Sequence, residues 1–169
     1  MRIPSIDVGG QYQHVTHVTH DIGLPSQTPF GNMLLKWGKI IDRLIRLNRL
    51  IPTAYRLHHA MFSEAPPSFP SPWSELSHLL EEIAYWLRKT ADELISLSFL
   101  CHSQHCGLVM PRRIEVDCIG QLIDGRSPHL TSLYAAHLKH LQLLNEVSLL
   151  SKTSSHLGGG LDFTRGGVF

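Results

Sequence analysis

The chain has 169 residues and a mass of 19.0 kDa, and its 15 lysines and arginines nearly balance its 14 aspartates and glutamates. That length fits one domain, and a hydrophobic content of 43% is too high for a disordered chain. A net charge of +1 excludes a protein that coats nucleic acid through charge alone.

The cysteines and the N-terminus predict a cytoplasmic protein. Cys101, Cys106 and Cys118 are odd in number and do not form a disulfide framework, which favours a reducing compartment. The first ten residues lack the apolar stretch of a signal peptide, and no run of about 20 apolar residues predicts a membrane span. We also expect no catalytic activity and no cofactor, because the nucleophile elbow, the phosphate loop and the Rossmann glycine fingerprint are missing from the sequence.

The chain divides into three parts. Residues 1–29 are an N-terminal arm, which forms either a β-hairpin around Gly9-Gly10 or an irregular extended segment. Residues 30–152 carry helical patterns, and residues 153–169 are a glycine-rich tail.

The first long helix is predicted over residues 31–50, with Pro52 ending it and a shorter helical piece over residues 53–62. A proline-rich loop over residues 65–72 follows. One apolar stripe at spacings of three and four residues defines the helix, and Leu34 and Ile41 widen it. Its members are Phe30, Met33, Trp37, Ile40, Leu44, Leu47 and Ile51.

The second long helix has the most regular pattern. Ser71 is a suitable N-cap, Pro72 suits the first helical position, and Gly107 and Pro111 are expected to end the helix. Its packing seam is Trp73, Leu76, Leu80, Ile83, Leu87, Thr90, Leu94, Leu97 and Cys101.

The last part of the helical region begins ambiguously. Residues 113–124 alternate like a strand at first and then fit a short helix, whereas Ser127-Pro128 predicts the start of a helix that reaches about Leu150. The pattern as a whole predicts an all-α fold, a bundle of three long helices plus one or two short ones. Surplus apolar surface predicts a homodimer that acts through protein–protein contact.

The first helical region is basic, with six lysines and arginines against one aspartate between Phe30 and His58. Lys36, Lys39, Arg43 and Arg46 share one flank, which predicts a binding surface for an acidic protein or RNA. The favoured interpretation, however, is pairing within the chain with the second helical region, where five carboxylates outnumber two cations, and the binding surface is the alternative.

Several histidines and cysteines have spacings that suit metal ligands. Cys101 with His105 and His102 with Cys106 are i, i+4 pairs, which makes zinc an alternative to a purely structural helix end. His14, His17 and His20, followed by Asp21, form a second cluster. On the last helix, His137 and His140 are predicted to be half-buried structural residues.

Two enzyme classes are alternatives based on resemblance. The carboxylates Glu75, Glu81, Glu82 and Asp92 resemble the acidic helices of nucleoside-triphosphate pyrophosphohydrolases of the MazG kind. That resemblance implies Mg²⁺ held between two neighbouring helices. Tyr85 and Trp86 stand where the family's next carboxylate is expected.

The segment from Trp73 to His156 resembles HEPN-like helical domains, which are common in defence and toxin systems. The resemblance implies a ribonuclease, or its inactive relative, with His156 as proton donor, Lys152 as charge stabiliser and Asn145 as orienting group. The arginine of the family's motif is missing here, since Lys152 is the only cation in range.

Overall fold

A computed structural model describes residues 24–62, 71–106 and 110–157, with side chains up to residue 149. These residues form five α-helices and one 3-10 turn, and no strand occurs among them. The three long helices are α1 (Met33–Ala60), α2 (Pro72–His105) and α5 (Leu138–Leu157), and the two short ones are α3 (Ile119–Ile123) and α4 (Pro128–Leu133). The predicted all-α bundle is therefore confirmed. The expected hairpin or arm before residue 24 lies outside the described residues, as do the glycines of the tail.

Helix α1 is continuous through Pro52, so the prediction that this proline ends the first helix was wrong. No separate helix follows, because residues 53–60 belong to α1. Leu47 and Ala54 are buried on either side of the proline. Burial on both sides stabilises the helical path against the missing backbone N–H and the ring clash of an interior proline.

The predicted stripe of α1 faces the core, where Met33, Ile40 and Leu47 are almost fully buried. Ile41 is buried with them, whereas Leu34 remains 36% exposed, so it does not widen the stripe. Asn32 caps the helix, since its side-chain oxygen accepts a hydrogen bond from the backbone N–H of Leu35 at 3.1 Å.

Helix α2 is the central element and packs on two sides. Leu97 and Leu100 pack with Met33 and Ile40 of α1, while Ile95 belongs to a second cluster with α3 and α4. Ile95 and Leu100 are among its most buried residues, although neither belongs to the predicted seam. The predicted start is confirmed, because the Ser71 hydroxyl accepts a hydrogen bond from the backbone N–H of Ser74 and Pro72 is the first helical residue.

The N-terminal end of the predicted seam is not covered in this structure. Trp73 is 64% exposed and Leu80 is 51% exposed, contrary to the expectation that the whole stripe is buried. From Leu76 onward, the other seam residues are buried or half-buried.

The ambiguous segment 113–124 contains no strand, and a short helix begins at Ile119. Val116, Ile119 and Leu122 are completely buried and join Ile95 in the second cluster. The strand-like alternation at residues 114–118 therefore reflects an irregular segment whose apolar side chains point toward the core.

The predicted last helix is interrupted. Helix α4 ends at Leu133, a 3-10 turn occupies Ala135–His137, and α5 begins at Leu138. The Tyr134 hydroxyl lies 2.7 Å from Ser98 Oγ of α2, which ties the break to the central helix. Helix α5 continues to Leu157, beyond residue 152, and His137 and His140 are exposed rather than half-buried.

None of the helices in the described ranges combines the length and the apolar content that a membrane crossing requires.

Candidate functional site

The last two turns of α2 border an open groove of about 650 Å³. Helix α2 contributes one wall, α4 contributes His129 and Leu133, and Leu24 lies at the edge where the described chain begins. The α2 residues are Ser98, Cys101, His102, Gln104 and His105. A concave surface with several convergent polar groups is the usual form of a binding site.

The Cys101 thiol is half-buried in this groove. Burial raises the pKa of Cys101 above its ordinary value of 9.0, because desolvation disfavours the thiolate. Burial likewise raises the pKa of the Tyr134 hydroxyl; the hydrogen bond to Ser98 opposes this shift and the nearby Cys101 adds to it. Cys101 is thus a protonated packing residue at neutral pH rather than an activated nucleophile.

Two histidines and one cysteine meet at the end of α2. The rings of His102 and His129 stack with centroids 3.6 Å apart and planes 14° from parallel. Cys106 Sγ lies 3.5 Å from His102 Nδ1. Of the two predicted i, i+4 pairs, only this one is in hydrogen-bond contact within the described residues; Cys101 and His105 are not. The sequence pattern did not indicate His129, because its approach depends on how α4 packs against α2.

A complete metal site is not present among these residues. No group of three or more histidine, cysteine, aspartate or glutamate side chains within the described ranges is arranged to hold a metal ion. The other predicted cluster, His14, His17, His20 and Asp21, precedes the first described residue.

The basic flank of α1 is partly occupied by the acidic face of α2. Arg43 forms an ion pair with Glu93, and Arg46 Nη2 lies 2.6 Å from Glu82 Oε1. Both guanidinium groups also lie over the Trp86 ring, at 5.7 and 5.1 Å from its centroid. Pairing within the chain therefore accounts for these two arginines.

Lys36 and Lys39 differ from the two arginines of the same flank. Neither has an ion pair with a carboxylate of the described residues, and Lys39 is exposed. Binding of an acidic protein or RNA to this flank stays a prediction. Two of its four cations, Lys36 and Lys39, remain available for such a partner.

Two of the four carboxylates that resemble a magnesium site, Glu82 and Asp92, have structural partners. Glu82 accepts hydrogen bonds from Arg46 and from the Trp86 indole N–H. Asp92 accepts the backbone N–H of Ile119 at 2.9 Å and lies 3.6 Å from the Arg88 guanidinium. Their positions are explained by helix pairing, without a bound cation.

The three residues of the ribonuclease alternative all lie on α5. Positions 145 and 156 are eleven residues apart, which corresponds to about 16 Å along a helix axis. The Asn145 backbone carbonyl accepts a hydrogen bond from Ser148 at 3.0 Å and a longer one from Arg88 at 3.4 Å. Lys152 and His156 are one helical turn apart, and their side chains lie outside the described structure.

Comparison of the chain with models of known protein families, with curated proteins and with solved structures finds no significant match. The fold itself places the described chain in the class of all-α helical bundles.

Proposed function

We propose that this protein acts through protein–protein contact and that its principal partner is a second copy of the same chain. The observation that carries the proposal is the uncovered end of the α2 seam. Leu80 lies there beside an apolar groove of about 290 Å³, lined by Ala54, Tyr55 and His58 of α1 and by Leu76 of α2.

The groove lies at the end of the helical hairpin where α1 ends and α2 begins. Phe62, at 74% exposed, and Trp73, at 64%, mark this end on the two sides of the connection. Large exposed apolar side chains beside an apolar groove are typical of interaction surfaces. Covering them removes apolar area from water and stabilises association by about 25 cal/mol per Å² before the costs of binding.

Charges near the groove favour a second copy as the partner. The later turns of α1 carry Arg49 and Arg56, and the first turns of α2 carry Glu75 and Glu81. None of these four side chains forms an ion pair with another described residue. A two-fold contact between hairpin ends brings α1 of one copy to α2 of the other. Such a contact is self-complementary, because the same surface supplies both the basic and the acidic residues.

The test is the solution mass of the full chain as a function of concentration, measured by sedimentation. We expect the mass to rise from 19.0 kDa toward twice that value as the concentration increases. Leu80→Glu introduces a charge into the groove and should weaken dimerisation by about 10- to 100-fold.

Leu143→Glu is the matched control, since Leu143 is similarly exposed but lies on α5. It should leave the dimerisation constant within about twofold of that of the wild type. A wild-type mass that stays monomeric at every concentration contradicts the proposal, as does equal weakening by the two variants.

A further inference from the structure

We propose that a cavity beside α3 binds a small phosphate monoester between the guanidinium groups of Arg113 and Arg126. The cavity has a volume of about 330 Å³ and is lined by Arg113, Ile114, Glu115, Gln121 and Arg126. The proposal does not depend on the dimer described above, because the dimer covers a different groove, between α1 and the start of α2.

The two arginines of this cavity are not neutralised by strong ion pairs. Arg113 is exposed and forms no ion pair with a carboxylate of the described residues. Arg126 Nη2 lies 3.9 Å from Asp124 Oδ2, a long contact between exposed side chains that stabilises little. The planar guanidinium donors match phosphate oxygens in a bidentate geometry, so a dianionic phosphate group is the natural partner of this pair.

The backbone fixes the position of Arg126 relative to Gln121. Helix α3 ends in a Schellman motif, in which the Arg126 N–H donates to the Gln121 carbonyl at 3.3 Å and the Gly125 N–H donates to the Leu122 carbonyl at 3.1 Å. Gly125 has φ +70°, the left-handed conformation that this motif requires. Because Leu122 is completely buried, the motif and the arginine after it are anchored to the core.

Gln121 adds a third donor and connects α3 to the segment that carries Arg113. Its Oε1 accepts the backbone N–H of Asp117 at 2.8 Å, which leaves the Nε2 amide group to donate to a ligand. In the same segment, Val116 is completely buried and Ile114 packs against the cluster between α1 and α2. These contacts hold both sides of the cavity in place before a ligand binds, which lowers the ordering cost of binding.

The acidic residues around the cavity indicate which phosphate compound it accepts. Glu115 lines the cavity, and its carboxylate can accept a hydrogen bond from a hydroxyl group of the ligand. Glu115, Asp117 and Asp124 are all exposed, so they repel a polyanion such as RNA, whose neighbouring phosphates would approach them. The arrangement therefore favours a small ligand with one phosphate group and at least one hydroxyl group.

Isothermal titration calorimetry of the full chain with glycerol 3-phosphate at low ionic strength tests this inference. We expect a dissociation constant below about 1 mM. Arg113→Gln and Arg126→Gln should each weaken binding by about 10-fold or more, because each removes charged donors to the phosphate. Arg126→Lys keeps the charge but loses the planar pair of donors, and it should weaken binding by about threefold or more.

The matched control is Arg112→Gln, since Arg112 is exposed and adjacent in the chain but does not line the cavity. It removes the same charge and should leave the affinity within about twofold of the wild type. Circular dichroism should show that every variant retains its helices. Equal losses in Arg112→Gln and Arg113→Gln would mean attraction by net charge alone and would overturn the proposal, as would no binding below about 10 mM in the wild type.

A second comparison tests the role of Glu115. The wild type should bind glycerol 3-phosphate about threefold or more tightly than inorganic phosphate, and Glu115→Ala should remove this preference. Equal preference in the wild type and the variant would contradict the assignment of a hydroxylated ligand. Tighter binding of a short single-stranded RNA than of glycerol 3-phosphate, lost in Arg113→Gln, would assign the cavity to nucleic acid and overturn the proposal.

Discussion

Asp92 shows how a single side chain connects two helices that are distant in the sequence. Helix α3 begins after Cys118, whose side chain makes no capping hydrogen bond. Asp92 of α2 supplies the missing acceptor, since its Oδ1 accepts the Ile119 N–H at 2.9 Å. A carboxylate at a helix N-terminus satisfies an otherwise unpaired donor and interacts favourably with the helix dipole. From the sequence, Asp92 has a specific role only in the alternative that rests on resemblance to MazG-type enzymes; its partner, Ile119, lies 27 residues away and no local pattern indicates it.

Asp92→Ala should lower the free energy of unfolding by about 1–2 kcal/mol, because the Ile119 N–H loses its acceptor and Arg88 loses a nearby carboxylate. Asp92→Asn retains an oxygen acceptor and should cost less than the alanine substitution. Urea unfolding followed by circular dichroism measures both changes. Equal stabilities of Asp92→Ala and the wild type would show that this contact does not anchor α3.

Cys101 and Tyr134 should make the fold sensitive to alkali. Burial raises the pKa of both groups, so the folded state disfavours their ionised forms more than the unfolded state does. Their contribution to the free energy of unfolding is fully present below the ordinary pKa values of 9.0 and 10.0. That contribution is lost as the pH rises through the raised pKa values of the folded state. Urea unfolding of the wild type, Cys101→Ala and Tyr134→Phe between about pH 8 and pH 10.5 tests this. Each variant should lose less stability over that range than the wild type; parallel losses in all three would contradict the assignment.

At the scale of the helices, local signals predict where a helix begins better than where it ends. The Ser71-Pro72 and Ser127-Pro128 starts are confirmed, because an N-cap side chain acts within its own first turn. Pro52 fails as an end signal, since the packing of neighbouring residues against α2 stabilises the helix on both sides of it. Tyr134 carries no obvious helix-breaking signal, yet the helix stops there.

Pro52→Ala tests how much stability the interior proline costs. Alanine restores a backbone N–H within α1 and removes the ring, and we expect the free energy of unfolding to rise by about 1–2 kcal/mol. Gly38→Ala is the companion substitution, since a Cβ at this helical position meets no other atom within 4 Å. It should add about 0.5–1 kcal/mol through helix propensity alone. Thermal and urea unfolding measure both values. A destabilised Pro52→Ala variant beside a stabilised Gly38→Ala variant would show that α1 requires the local geometry of the proline.

At the scale of the whole molecule, α2 is the element on which the others assemble. Leu97 and Leu100 pack with the α1 cluster, and Ile95 packs with Ile119 and Leu130 on the other side. A helix between two layers buries more of its circumference than one lying on a single surface. This explains why Ile95 and Leu100 are buried although they lie outside the regular seam.

The sequence by itself determined the helical class, the α1 stripe and the capped starts of α2 and α4, because these depend on contacts within a few residues or on one periodic face. The tertiary structure decided which residues around α2 are buried, where the last helical region breaks and which side chains meet at the groove. It also decided that Arg43 and Arg46 pair with Glu93 and Glu82. Each of these outcomes depends on groups that are distant in the chain, and helical periodicity carries no information on which helices become neighbours.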